Sequence, residues 1–319
     1  MIIGGAEDKL RKRAILKEFV ALSGGPDARI AVVPTASSIG AEVTEVYEAV
    51  FRSLGAAEVV PVSPESREQA HAADLVDRLD RSTGVFLTGG NQLKLSAIVS
   101  GTPVGAAIVA AHHRGAVVAG TSAGASIQSS HMVAFGGPGT TPKQRMTQVA
   151  AGLGLLEDAV VDQHFDQRNR YGRLLMIVSQ SPQLLGIGVD EDTAAVVTEE
   201  DGRRLMRVLG RGSVTVFDPA RMVTDAFEAK RSSPLLASGV VLHVLPEGSL
   251  FDLGARALVP RASAVAAEDA AELAEAQHDL RRLARDIAAS DVSPTTFRRR
   301  QARARKLTTP PPPPDGAAR

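Results

Sequence analysis

The chain has 319 residues, 44% of them hydrophobic and 23% charged, and its Lys+Arg and Asp+Glu counts are equal at 36. This is the composition of a soluble globular protein with room for a proper core, and the balanced charge gives no global reason to bind nucleic acid or an anionic membrane. Cysteine is absent, which removes disulfides, thiolate metal sites and Cys nucleophiles together.

No run approaches the roughly 18 consecutive apolar residues of a membrane span, and no basic stretch followed by an apolar one opens the chain, so a cytoplasmic location is expected. Ile2-Ile3 reads as a strand ending in the tight loop Gly4-Gly5, and Leu10, Ala14, Ile15, Phe19 and Leu22 fall at helical spacing over 10–22. Strands are expected at 29–33, 58–62 and 84–87, with helices at 41–54, 68–79, 92–100 and 105–112 between or after them. Apolar strands without alternation, separated by helices, point to a parallel sheet covered on both faces, in which ligands bind beyond the carboxyl ends of the strands.

At Ala116–Gln128 an apolar run enters the turn Gly120-Thr121-Ser122-Ala123-Gly124 and continues with helical character. Ser122 then sits at a strand-to-helix elbow, with glycines two residues to either side permitting a turn that a Cβ would obstruct. Small residues also crowd many such turns for packing alone. The loops Gly4-Gly5 and Gly89-Gly90 lie at other strand ends. The first is read as an ordinary small-residue turn, the second as a source of an N–H for an oxyanion hole.

Residues 133–148 read as loop, and 146–155 as the start of a helix or turn leading to the strand 159–161. Next come His164, ringed by Asp162, Gln163, Asp166, Arg168, Arg170 and Arg173, then a helix at 174–179 and a strand at 185–189 followed by Asp190-Glu191. The runs 193–197, 205–209 and 213–217 surround the turn signal Asp201-Gly202, so this later part is antiparallel β, closed by 240–245 and 250–253. Past Arg261 the character changes to an Ala/Glu/Leu/Arg-rich helix, a basic segment at 297–306 and a proline-rich tail.

A serine hydroxyl needs a base to take its proton and a carboxylate to orient that base. Of seven histidines, His164 alone follows an apolar strand amid polar partners; His71, His112, His113 and His278 fall in expected surface helices, and His131 and His243 lack obvious partners. For the orienting acid, Asp190, Glu191, Asp162 and Asp166 remain open. The three arginines suggest a pocket for carboxylates, with ion pairs to Asp162 or Asp166 as the alternative. No metal-ligating cluster is visible, and neither metal nor cofactor is expected.

The four motifs Ile3–Asp8, Leu87–Gln92, Gly120–Ala125 and Asp162–Phe165 resemble, in order and spacing, those of the cyanophycinase family, serine peptidases related to aspartyl dipeptidase and, in fold, to class I glutamine amidotransferases. The resemblance covers 2–258. It implies a flavodoxin-like three-layer α/β fold with a mainly parallel sheet, an antiparallel β addition and a homodimer. It also implies hydrolysis of cyanophycin, a polyaspartate carrying arginine on each β-carboxyl, to β-Asp-Arg dipeptides. Ser122 would be the nucleophile, His164 the base and Glu191 the third triad member, with Gly90 and Ala123 as oxyanion donors. Gln92, Asp162, Gln163, Arg168, Arg170 and Arg173 would bind substrate, the arginines receiving carboxylates and Asp162 a guanidinium. The domains are then the peptidase domain 1–261, a helical extension 262–307 and a disordered tail 308–319, for which the family supplies no role. A hydrolase of short Asp-containing peptides and a non-catalytic binding protein retaining the fold are the alternatives.

Overall fold

A computed structural model of the chain describes residues 1–260. They coincide closely with the first of two compact units, Met1–Val259. The extension and tail expected beyond Arg261 lie outside the described residues. In chain order, the first half comprises β1 (Ile2–Ile3), α1 (Ala14–Leu22), β2 (Arg29–Val33), α2 (Gly40–Ser53), β3 (Glu58–Pro61), α3 (Ala73–Asp80), β4 (Gly84–Leu87), α4 (Gln92–Val99), α5 (Pro103–His113), β5 (Val117–Thr121) and α6 (Ala123–Ser126). There follow β6 (His131–Gly136), β7 (Thr147–Ala151), β8 (Ala159–Gln163), α7 (Tyr171–Gln180), β9 (Leu185–Val189), β10 (Thr193–Glu200), β11 (Arg203–Gly210) and β12 (Ser213–Asp218). Short strands end the unit: β13 (Val223–Thr224), β14 (Ala237–Ser238), β15 (Val241–Pro246), β16 (Leu250–Asp252) and β17 (Ala257–Leu258).

The main sheet has nine strands in the order β17-β16-β11-β10-β1-β5-β4-β2-β3. From β1 to β3 the pairing is parallel; β10, β11, β16 and β17 add on antiparallel. Because the strand period is two, one side of each central strand faces each helical layer. Ile30, Val32, Phe86 and Ala119 pack with α1 and α2, whereas Ala31, Val33, Val85, Leu87 and Val118 pack with α3, α4 and α5. Phe19, Phe51 and Phe86 are fully buried with ring centroids 5.2 to 5.4 Å apart, so truncating Phe86 to alanine costs about 3–5 kcal/mol.

A second sheet of four strands, β15-β12-β9-β8, carries the later motifs, with β8 and β9 parallel and the rest antiparallel. Among the described residues no single helix is long and apolar enough to cross a membrane.

Two local expectations are corrected. The first helix begins at Ala14, and Leu10 is exposed, because the Asp8 carboxylate accepts the N–H groups of Leu10, Arg11, Lys12 and Arg13 and holds that segment as a loop. Those four donors favour the ionised form and hold Asp8 well below the usual carboxylate range. Residues 133–136 and 147–151 are strand rather than loop, helix or turn: β6 and β7 pair antiparallel around a bulge at Val133/Phe135, and the Gly- and Pro-rich 137–146 between them is the loop expected there.

Candidate active site

Strand β5 delivers Ser122 at φ 53°, ψ −108°, a conformation that costs a non-glycine residue about 1–3 kcal/mol and persists only when its surroundings enforce it. They do so by close packing. A Cβ at Gly120 would lie 2.0 Å from the Gly124 carbonyl oxygen, and one at Gly124 would lie 2.2 Å from that of Leu87. The G-x-S-x-G pattern is therefore required by how tightly the elbow folds onto β4, and the serine between the glycines is forced outward.

His164 and Glu191 arrive from the second sheet, one residue past β8 and two past β9. Ser122 Oγ lies 2.9 Å from His164 Nε2, and His164 Nδ1 lies 2.6 Å from Glu191 Oε1. An ionised carboxylate can only accept, so Nδ1 carries the ring proton and the Nε2 lone pair faces the serine hydroxyl. The question of the orienting acid is decided by direction at the strand end. Asp190 turns inward, accepting the Ser213 N–H and hydroxyl and the Asp166 N–H, while its neighbour Glu191 turns toward the imidazole. Gln167 receives the Glu191 N–H at 2.8 Å, a contact for which the sequence offered no signal.

Burial depresses the His164 pKa below that of a free imidazole, opposed by the Glu191 hydrogen bond and reinforced by the cations of Arg168 and Arg170. The ring is thus kept neutral and available as a base near neutral pH.

Gly4-Gly5 is more than an ordinary turn. The Gly4 carbonyl accepts the His164 N–H at 2.8 Å, the Gly5 carbonyl accepts the Asp192 N–H at 2.8 Å, and Gly5 (φ +103°) lies against the imidazole. Farther along the same loop, the buried Glu7 carboxylate accepts Thr121 Oγ1 at 2.6 Å and Lys9 Nζ at 2.7 Å, and also the Tyr47 hydroxyl. Burial, then the Glu7 charge, pushes the Tyr47 phenol well up. The Gly4–Lys9 loop therefore touches the base directly and the nucleophile through the residue before it.

A Cβ at Gly89 would stand 3.3 Å from Ser122 Cβ, so the Gly89-Gly90 loop lies beside the nucleophile. Among the described residues, the N–H groups of Gly90 and Ala123 find no backbone acceptor.

Of the six expected binding residues, Asp162, Gln163, Arg170 and Arg173 form a buried cluster. Asp162, fully buried, pairs with Arg170 Nη1 at 3.2 Å and with Arg173 Nε at 2.5 Å; Arg170 Nη1 also donates to Gln163 Oε1 at 2.7 Å. Burial brings the Arg170 pKa down to about 10 despite Asp162. Arg168 is exposed, without an ion-pair partner among the described residues. Gln92 donates to the Val133 and Ala134 carbonyls at 3.2 and 3.3 Å, tying α4 to β6. Arg170 and Arg173 thus display the ion-pair alternative, both to Asp162. Among the described residues no group of three or more His, Asp or Glu side chains could hold a metal.

A serine at a strained strand-to-helix elbow, hydrogen-bonded to a histidine that is in turn oriented by a carboxylate, is the arrangement of serine-type hydrolases on α/β sheets. The sequence model of peptidase family S51 matches residues 1–205. The chain belongs to peptidase family S51 and is a serine-type peptidase. It is 41% identical over 263 residues to the cyanophycinase of Nostoc sp. (strain PCC 7120), covering 82% of this chain and 87% of that one. It is likewise 41% identical over 264 residues to the cyanophycinase of Thermosynechococcus vestitus, covering 79% and 78%. A solved peptidase from an acI-B1 Actinobacterium shares the fold, with a TM-score of 0.51 at 21% identity, over 76% of this chain and 95% of that chain.

Proposed function

We propose that this peptidase hydrolyses cyanophycin to β-Asp-Arg dipeptides through an acyl-enzyme on Ser122. The observation that carries the mechanism is the continuous relay Ser122–His164–Glu191 at 2.9 and 2.6 Å; the substrate is suggested by the cyanophycinases that the chain resembles over most of its length. As Ser122 Oγ attacks the backbone carbonyl carbon, His164 Nε2 takes its proton and returns it to the leaving amine. Water, activated by the same nitrogen, then releases the acyl group. Glu191 holds the Nδ1 proton and stabilises the transient imidazolium. The Gly90 and Ala123 N–H groups receive the oxyanion, which their lack of other acceptors supports.

Arg168, exposed and unpaired beside the base, is our first candidate for a substrate carboxylate. Asp162, Gln163, Arg170 and Arg173 form a buried polar cluster that a substrate guanidinium or carboxylate reaches only by exchanging partners; Gln92 flanks the site by fixing β6. We further propose a flavodoxin-like core, a homodimer acting in the cytoplasm, and a peptidase domain ending near Arg261.

Incubation of the purified protein with insoluble cyanophycin should release β-Asp-Arg, and Ser122→Ala should abolish release. Turnover of short Asp-containing peptides with the polymer left intact would select the dipeptidase reading instead. Turnover that survives Ser122→Ala would overturn the mechanism.

A further inference from the structure

A cleft of about 380 Å³ opens onto Ser122 and His164 between the Gly4–Lys9 loop and α2. Its volume lies in the range of small-ligand sites and holds one dipeptide-sized unit. None of the residues expected to bind substrate lines it. Its walls have three distinct chemistries. Along α2 and its amino-terminal flank, Ile39, Val43 and Val46 make an apolar strip that surfaces at spacings of four and three, with Ile39 56% and Val46 48% exposed. Glu42, in the first turn of α2, is exposed and has no ion-pair or hydrogen-bond partner among the described residues. The Lys9 ammonium also lines it, its side chain 29% exposed, held over the Tyr47 ring at 5.1 Å and anchored on buried Glu7.

An aspartyl residue carrying arginine through the α-amino group offers three groups that match: a guanidinium, a stem of three methylenes, and a free arginyl carboxylate. We propose that this cleft is a subsite for the arginyl side chain of a residue flanking the scissile bond. Glu42 pairs with the guanidinium, Ile39, Val43 and Val46 cover the stem, and Lys9 receives the carboxylate. The proposal rests on the cyanophycin reading above and adds to it the determinant of arginine over uncharged side chains. Glu7 has a supporting part: with no exposed side-chain surface and both carboxylate oxygens engaged, it fixes the position of the Lys9 ammonium.

The test is binding to the full chain carrying Ser122→Ala, so that turnover is out of play, with synthetic β-Asp-Arg and β-Asp-Ala dipeptides titrated by calorimetry. The control is degradation of cyanophycin by the wild-type protein. Glu42→Gln, added to Ser122→Ala, is expected to weaken β-Asp-Arg about three- to ten-fold while leaving β-Asp-Ala unchanged, the range for a partly desolvated charge pair. Val46→Trp fills the cleft and should remove β-Asp-Arg binding. Both positions are exposed, so melting temperatures should match the parent, which separates lost binding from lost folding. Binding of β-Asp-Arg within two-fold of the parent by both variants would overturn the subsite while leaving the cyanophycin reading intact. A wild-type protein that leaves cyanophycin undegraded would instead overturn that reading, and the subsite falls with it.

Discussion

Gly5 lies flat against His164: a Cβ at position 5 would stand 2.3 Å from the ring carbon Cε1 and 2.5 Å from Nε2, the atom that faces Ser122. Gly5→Ala must therefore move the imidazole or the loop, and at φ +103° it strains the backbone in addition. A displacement of about 1 Å at a reacting group costs on the order of 10²-fold in rate. We expect kcat/KM to fall by at least that factor while circular dichroism stays native. Steady-state kinetics on the folded variant checks this.

Glu191→Gln should lower kcat by up to roughly 10⁴-fold, the scale seen when a triad carboxylate becomes an amide. The new side chain can offer its own N–H to Nδ1 and so drive the ring into the tautomer that cannot accept from Ser122. Since the Glu191 side chain is 37% exposed, stability should scarcely change. Parallel kinetics and urea titration separate the two effects.

The depressed pKa of His164 sets a pH dependence. The ring is an effective base only when neutral, so the acid limb of kcat/KM should fall below the roughly 6.5 of an ordinary histidine. Arg168 contributes to the depression as a nearby cation, and its removal makes the imidazolium less costly. Arg168→Gln should accordingly raise the pKa and shift the acid limb to higher pH. A pH–rate profile of both proteins reads the shift; movement to lower pH would contradict the assignment.

Glu7→Gln should destabilise the protein by about 1–3 kcal/mol, because one carboxylate oxygen that only accepts becomes an N–H beside groups that donate. It should also bring the Tyr47 phenol pKa down, since the Glu7 charge helps to raise it. Urea denaturation and ultraviolet titration of the two tyrosines follow the effects.

Much of this site is legible in sequence. Buried parallel strands announce themselves as apolar runs, and the elbow and His164 both follow such runs, so Ser122 and His164 could be named before any coordinates. The choice between Asp190 and Glu191 could not be made there: adjacent residues at a strand end point to opposite sides, and only the packing of Ser213 against one of them decides which. The β6–β7 hairpin was hidden by the glycines and prolines of its long connection, a composition shared with true loops. The part played by Gly5 is invisible to local patterning, because it leaves room for the ring of His164, far along the chain. The antiparallel strands after Thr193 were read correctly; their division between two sheets depends on long-range pairing.

That division matters for what the two halves of the relay depend on. Ser122 is held by the nine-stranded sheet, whereas His164 and Glu191 stand at strand ends of the four-stranded one. Backbone hydrogen bonds join the two at the site itself, where the His164 N–H reaches the Gly4 carbonyl and the Asp192 N–H that of Gly5. The relay therefore exists only where the two sheets meet, and neither sheet alone carries it.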